Sequence, residues 1–409
     1  MTPKGWEKFK IAELLEKKII QLQIDGNHGE LYPKASEFVE SGVPYLSANC
    51  IVDGRLDVSK AKFLTEEKFK KLKKGISQRD DVLFAHNATV GPTALNTIDG
   101  ESVLSTTLTL YRCNKNALNP LYLKNYFSSP LFSSQYTRVM AQSTRNQVPI
   151  TAQREFEVLL PPMNEQEKIA NILSTWDEAI EKYEVILKKK ERMYQVSLND
   201  TFGKSTANGS WADSSLEGVS LKITDGAHSS PPSSEGGCPM LSVKDMREFG
   251  FDLSQPRLIS EKHYRELINL GCKPEVGDVL IAKDGSVLKY IFEVKKPIEA
   301  VLLSSIAIIR PNPEIVIPSF LAHFFRRDNF KEYVRRELTS GSGVPRIVLR
   351  DFRKIKIHVP DLTTQKKIVA FLDTTNLDIV FNRRIIDLLK IQKQGIMQQL
   401  LTGKKRVKV

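Results

Sequence analysis

The chain has no CxxC pair: its four cysteines, Cys50, Cys113, Cys238 and Cys272, lie far apart. That spacing indicates neither a zinc site nor a disulfide framework. Long apolar runs are missing as well. The longest, around AVLLSSIAIIR, is about half of what a membrane span needs, and no positively charged and then apolar leader opens the sequence. A cytoplasmic protein with reduced thiols is expected. Catalytic signatures are equally scarce. There is no Asp/Asn-Pro-Pro-Tyr/Phe segment, no FxGxG loop and no HExxH, and the GKST beginning at Gly203 lacks the earlier glycine of a phosphate loop because Leu198 stands there. One set, Asp278 with Glu293 and Lys295, imitates the acidic pair plus lysine of a magnesium nuclease, but the matching stretch LNTIDGES has no such pair.

What is present is length, positive charge and repetition. A chain of 409 residues with a formal net charge of +12 suggests two domains or more and a polyanionic partner, with nucleic acid the leading candidate. Segments recur in constant order about 200 residues apart. IDGNH at Ile24 faces TDGAH at Thr224, DDVLFAHNATVG faces GDVLIAKDGSVL, LSTTLTLYRCN faces LLSSIAIIRPN, YLKNYFSSPLF faces FLAHFFRRDNF, and Pro161 faces Pro360. The order reads globule, helix, globule, helix, over 1–160, 161–204, 205–358 and 359–409. Short Val-, Ile- and Leu-rich runs bounded by Gly, Asn, Asp and Pro predict strands. The stretches after Pro120 and Pro318 carry helical spacing. The fold class is α+β, with two globular domains alternating with two long helices.

Each long helix carries an apolar seam. In the first, Ile169, Leu173, Trp176, Ile180, Tyr183 and Leu187 alternate at four- and three-residue steps. In the second, Ile368, Leu372, Thr375, Ile379, Asn382, Ile386, Leu389, Lys393, Ile396 and Leu400 do the same. The expectation is antiparallel pairing of the two helices as a coiled coil, with the globules at opposite ends of the rod in pseudo-two-fold relation. The alternative is that each helix covers its own globule as core. Thr375, Asn382 and Lys393 fit register-setting positions or a wider bundle that admits helices of another protein. Each helix is expected to close on a Gly-Lys pair, Gly203-Lys204 and Gly403-Lys404.

The segments LPPMNEQEKIANIL and VPDLTTQKKIVAFL, with DGNHG and TDGAH, resemble the signatures of the DNA specificity subunits of type I restriction-modification systems, over essentially the whole chain. One departure is Thr364 where the first copy has Glu165, read as a change on a helix surface. The resemblance implies that each globule is a target recognition domain for half of a bipartite double-stranded DNA site. It further implies that the helices set the unread spacer and dock two modification subunits. S-adenosylmethionine, ATP and Mg would then belong to those subunits and to restriction/translocase subunits, with no cofactor and no catalysis in this chain. The rivals are a self-sufficient metal-dependent nuclease using Asp278, Glu293 and Lys295, and a basic scaffold that binds DNA without reading it.

Base and phosphate contacts call for Arg, Lys, Asn, Gln and small polar groups on loops. The candidates in the first half are His28, Lys34, Asn49, His86, Asn87, Thr89, Arg145, Asn146 and Gln147. In the second half they are His228, Ser229, Lys244, Arg247, Lys283, Lys289 and Arg346. They recur at equivalent places with different side chains. Asp25-Gly26 and Asp225-Gly226 are turn residues, so the paired histidines could equally cap or pack that turn.

Overall fold

The computed structural model describes residues 3–28, 32–72, 74–142, 146–204, 211–340 and 344–408. The chain divides into two compact units, 1–184 with 384–409, and 185–383. Each is α+β.

In the first unit four strands, β1 (Ile20–Asp25), β2 (Val82–Asn87), β3 (Thr89–Leu95) and β4 (Leu108–Cys113), form an antiparallel sheet in the order β3-β2-β4-β1. Strand β2 is apolar from Val82 to Ala85 because both of its faces are covered there. Val82 and Phe84 enter one core, and Leu83 and Ala85 enter another, as the two-residue period of a strand requires. Helices α1 (Pro120–Phe127) and α2 (Pro130–Ala141) follow. The single helical pattern of the sequence is broken at Ser129, because Pro130 has no N–H to continue the ladder and the Ser129 hydroxyl caps α2 at Phe132 N. The first long helix, α3, runs over Met163–Lys204.

The second unit repeats the plan. Strands β5 (Ser220–Asp225), β6 (Val279–Ala282), β7 (Ile291–Glu293) and β8 (Ile306–Pro311) pair antiparallel in the order β7-β6-β8-β5. Val279 and Ile281 face one core, Leu280 and Ala282 the other. Helices α4 (Pro318–Arg326) and α5 (Asp328–Glu337) come next, broken at Arg327, whose guanidinium lies 4.1 Å from the Phe324 ring centre. The second long helix, α6, spans Leu362–Leu401. A smaller sheet in each unit contains one parallel pair, Tyr45 beside Val103 and Met240 beside Val301.

The signature glutamines explain themselves. Gln166 is buried; its Oε1 accepts from Asn119 N, and its Nε2 donates to the carbonyls of Ala117 and Pro161. Gln365 does the same with Ile317 N and the carbonyls of Ile315 and Pro360. Each one fastens the start of a long helix to the loop before α1 or α4.

Within both units the long helices run antiparallel where they meet. In the first, Asp177 pairs with Lys393, Glu184 with Lys390, and Glu165 with Arg406. In the second, Lys190 pairs with Asp378 and Glu191 with Arg383. The seam is not a sealed two-helix coil. Ile169 and Leu173 join Met397, Leu400 and the partly buried Ile396 in the main core of the first unit. Leu372, Ile379, Leu198 and the partly buried Leu187 and Ile368 belong to that of the second. Ile180 and Ile386 are buried, whereas Trp176, Tyr183 and Leu389 are half-buried.

Two expectations about helix ends change. Gly203 lies inside α3, whereas Gly403, at φ +66°, follows the end of α6 against Pro3. Glu165 is no surface residue. It is buried under Trp6 and Arg406, with Trp6 Nε1 donating to its Oε2 at 3.3 Å, and Arg406 also donates to the Lys4 carbonyl. Thr364 instead donates from its backbone N and its hydroxyl to the Asp361 carboxylate, which caps the start of α6.

Candidate nucleic-acid interface

Four segments meet at one end of the main sheet in each unit, joined by the same bonds. The turn after β1 brings Gly26 against the backbone of Leu104 and Ser105, so closely that a Cβ would lie 2.2 Å from a carbonyl atom. The turn after β5 brings Gly226 to Leu302 in the same way, at 2.1 Å. Only glycine fits there. At the strand end, His86 N donates to Thr107 O, and Lys283 N to Ser305 O. Thr107 Oγ1 accepts from Ala48 N at 2.9 Å, and Ser305 Oγ from Val243 N at 3.2 Å, holding the short 3-10 turns Ala48–Cys50 and Val243–Asp245.

The fourth segment is a loop after α2 or α5. Ala88 N donates to Asn146 O and Val148 N to His86 O; Gly285 N donates to Pro345 O and Ile347 N to Lys283 O. Ala88 and Gly285 share the left-handed conformation, with φ of 64° and 69°. The backbone frame is one frame built twice.

The side chains on it differ. In the first unit His28 Nε2 lies 2.6 Å from Asp25 Oδ2 and Lys74 Nζ lies 3.2 Å from Asp25 Oδ1. Burial pushes the Asp25 carboxyl up, but hydrogen bonds from His28 and Lys74 outweigh it and hold the carboxyl below its ordinary range. In the second unit His228 Nε2 lies 3.0 Å from Asp225 Oδ1, and Lys283 Nζ lies 2.9 Å from Asp225 Oδ2. Asp284 then faces both Lys283 and Arg346, at 3.6 and 3.2 Å.

Several sequence candidates stand exposed on these segments: His28, Asn49, Thr89 and Asn146 in the first unit, and His228, Ser229, Lys244 and Arg346 in the second, with Asn87 and Gln147 half-buried. Asn146 is partly committed, because its Nδ2 donates to Ala88 O. Lys34 is exposed at the start of another 3-10 turn, and exposed Lys289 lies beside the Tyr290 ring. Arg247 is exposed but pinned to its own hairpin through the carbonyls of Lys244 and Met246 and the Asp252 carboxylate. Arg145 lies outside the described residues.

Two candidates are corrected. His86 is buried, bonded to Thr109 Oγ1 at 2.9 Å, and burial pushes its pKa down to about 4. Lys283 is buried and neutralises the turn acid. Both occupy the same place in the repeat and support the frame. The sequence reading missed Lys74 and Asn27. Asn27 is buried and donates from Nδ2 to the Lys74 carbonyl. Its place beside Asp25-Gly26 was the available signal; nothing local marked Lys74.

The depressed His86 pKa has a consequence for stability. The unfolded imidazole takes up a proton near pH 6.5 and the folded one only near 4, so stability is lost as pH falls through that window. At pH 5 the loss is about 2 kcal/mol. Urea unfolding at pH 7.5 and 5 measures it, and His86→Gln is expected to remove that share of the difference.

The nuclease set does not assemble. Asp278 is fully buried, and Arg310 donates to both of its oxygens, at 2.8 and 3.1 Å. Glu293 accepts from the Ser319 hydroxyl, and Lys295 lies 3.6 Å from Asp373. Asp81 and Arg112 form the same buried pair in the first unit, so Asp278 is a structural residue. Among the described residues no three His, Cys, Asp or Glu side chains gather to hold a metal. No described helix is long and apolar enough to cross a membrane.

Comparison with known proteins agrees with this duplicated plan. The profile of the type I restriction modification DNA specificity domain matches residues 3–188 and again 209–390. A Methanocaldococcus jannaschii protein assigned as the MjaX specificity subunit of a type I restriction enzyme is 29% identical, over 99% of this chain and 95% of its own. The MjaVIII specificity subunit of the same organism is 24% identical, over 100% and 94%. Two solved structures share the fold, each with a TM-score of 0.56. One is the type I restriction-modification S subunit from M. genitalium, at 15% identity and 98% and 99% coverage. The other is a chain from work on complex assembly and conformational transition of the type I R-M system, at 20% identity and 99% and 100% coverage.

Proposed function

We propose, from the premise that this chain belongs to the type I restriction-modification DNA specificity family, that its two frames read the two halves of one bipartite, asymmetric DNA site. The protein is a specificity subunit that recognises DNA sequence, and not the catalytic member of its complex. The observation that carries the two-half reading is the recurrence of one backbone frame with different side chains: Asn49, Thr89 and Asn146 on one, Lys244, Ser229 and Arg346 on the other. A common frame fixes how a groove is approached, and the side chains decide which base edges are accepted. Lys34 and Lys289 serve as phosphate contacts.

The long helices, of 42 and 40 residues, are roughly 60 Å each at 1.5 Å per residue, and they set the spacer between the half-sites. Their exposed apolar residues, including Met193, Phe371, Phe381 and Ile391, dock two modification subunits. Those subunits bind S-adenosylmethionine for adenine methylation, and restriction/translocase subunits bind ATP and Mg. The assembly works in the cytoplasm, on chromosomal and invading DNA.

Single-molecule methylome sequencing of a strain with and without this chain tests the reading. One bipartite N6-methyladenine motif is expected to vanish on deletion. Substituting Asn49 and Thr89 is expected to relax one half of that motif and leave the other intact. An unchanged methylome in a strain that expresses the modification subunit would favour the scaffold reading instead.

A further inference from the structure

The two halves of the chain repeat each other in sequence, yet the charges along their long helices do not. An offset of 199 residues, from Pro161 to Pro360, relates α3 to α6. Glu184 of α3 pairs with Lys390 of α6 at 2.8 Å, inside the first unit. Adding the offset to Glu184 gives Arg383, and removing it from Lys390 gives Glu191. Those two residues form the corresponding pair in the second unit, at 2.6 Å, with the signs exchanged.

The remaining inter-helix pairs are also one-sided. Asp177 with Lys393 corresponds to Asn376 with Tyr194, and Lys190 with Asp378 corresponds to Leu389 with Ala179. On α3 the acids Asp177, Glu184 and Glu191 stand seven residues apart, on one helical row. The opposing row of α6 offers Arg383, Lys390 and Lys393.

Now let two copies of α3 pack as α3 packs with α6. Position 184 of one copy meets position 191 of the other, glutamate against glutamate, twice. Two copies of α6 bring Arg383 against Lys390, twice. None of the four ion pairs between the helices among the described residues survives either same-half pairing, and two of them become repulsive. Charges flanking an apolar seam select partners in this way.

We propose that these rows are a polarity key that pairs unlike halves and rejects like ones. The partner it fits is the α6 row of the same chain, and what it excludes is a second copy exchanging helices with the first. The key is independent of DNA reading. A duplicated protein needs one, because its two apolar seams are similar and hydrophobic burial alone does not tell them apart.

The test uses the full chain. Two copies with different tags are produced together, one tag is captured at about 50 mM salt, and the second tag is counted. Wild type is expected to bring down only background. E191K/K390E makes both intrachain pairs repulsive and all four same-half pairs attractive, and should raise recovery about ten-fold, an excess lost at about 1 M salt. E184K/K390E keeps both inter-helix pairs opposite in sign while removing the like-charge penalty, and gives up only the 3.8 Å approach of Arg55 to Glu184. It is the variant that folds if the first does not, and it should raise recovery a few-fold. E191Q/K390Q removes attraction and repulsion alike, and should raise recovery only a few-fold, below E191K/K390E. Recovery by wild type equal to that of the charge-exchanged variants overturns the key. So does equal recovery with E191Q/K390Q and E191K/K390E, or no rise with either charge exchange.

Discussion

Asp278→Ala is expected to lower the unfolding free energy of the second unit by about 3 kcal/mol, the lower end of the range for breaking a buried ion pair. Asp278 is fully buried and accepts two hydrogen bonds from Arg310 and one from Glu275 N. Its removal leaves the guanidinium with Glu275 as its remaining ion-pair partner and leaves that backbone N–H without its acceptor. Asp81→Ala should cost the first unit a similar amount, since Arg112 and Gln78 N hold Asp81 alike. Urea denaturation read separately for the two units measures both. A loss under about 1 kcal/mol for Asp278→Ala would mean that the carboxylate is not the structural anchor described, and would reopen a role for it in chemistry.

Gly226→Ala should abolish recognition of one half-site. Its Cβ would fall 2.1 Å from the Leu302 carbonyl oxygen, with Leu303 also inside contact distance. The clash is with backbone, so no rotamer change relieves it. The turn must move, taking Asp225, His228 and the Lys283 contact with it. A site held by a displaced frame loses its geometry. A loss of about 3 kcal/mol in binding, roughly 100-fold, is expected. Gly26→Ala should do the same for the other half-site, because Ser105 and Leu104 press on it equally. Gly250→Ala, which meets nothing within 4 Å, is the matched control. Binding to DNA carrying each half-site separately distinguishes the two effects, and a Gly226→Ala chain that still binds both half-sites at full affinity would remove the turn from the interface.

The sequence by itself determined the features whose causes are local or periodic. Apolar steps of three and four residues require long helices, and runs such as VLFA and VLIA require strands buried on both faces. A constant offset near 200 residues requires two copies of one plan. The signature glutamines and the Asp-Gly turns were visible as repeated motifs, but most of the backbone they act on, Asn119 for Gln166 and Ser105 for Gly26, lies far along the chain. Burial and long-range partnership were decided only by the tertiary structure. His86 and Lys283 are polar residues on apparent loops, but each closes the end of a strand covered on both sides, so one becomes a neutral core imidazole and the other the buried partner of Asp225. Lys74 reaches Asp25 across 49 residues, and Arg406 reaches Glu165 across 241. Pairings of that span leave no periodic trace in a sequence, because the chain between them carries no information about where its ends meet. The charge pattern of α3 and α6 was legible residue by residue. Its sense, unlike halves attracting and like halves repelling, emerged only when the register of the two helices placed Glu184 on Lys390 and Glu191 on Arg383.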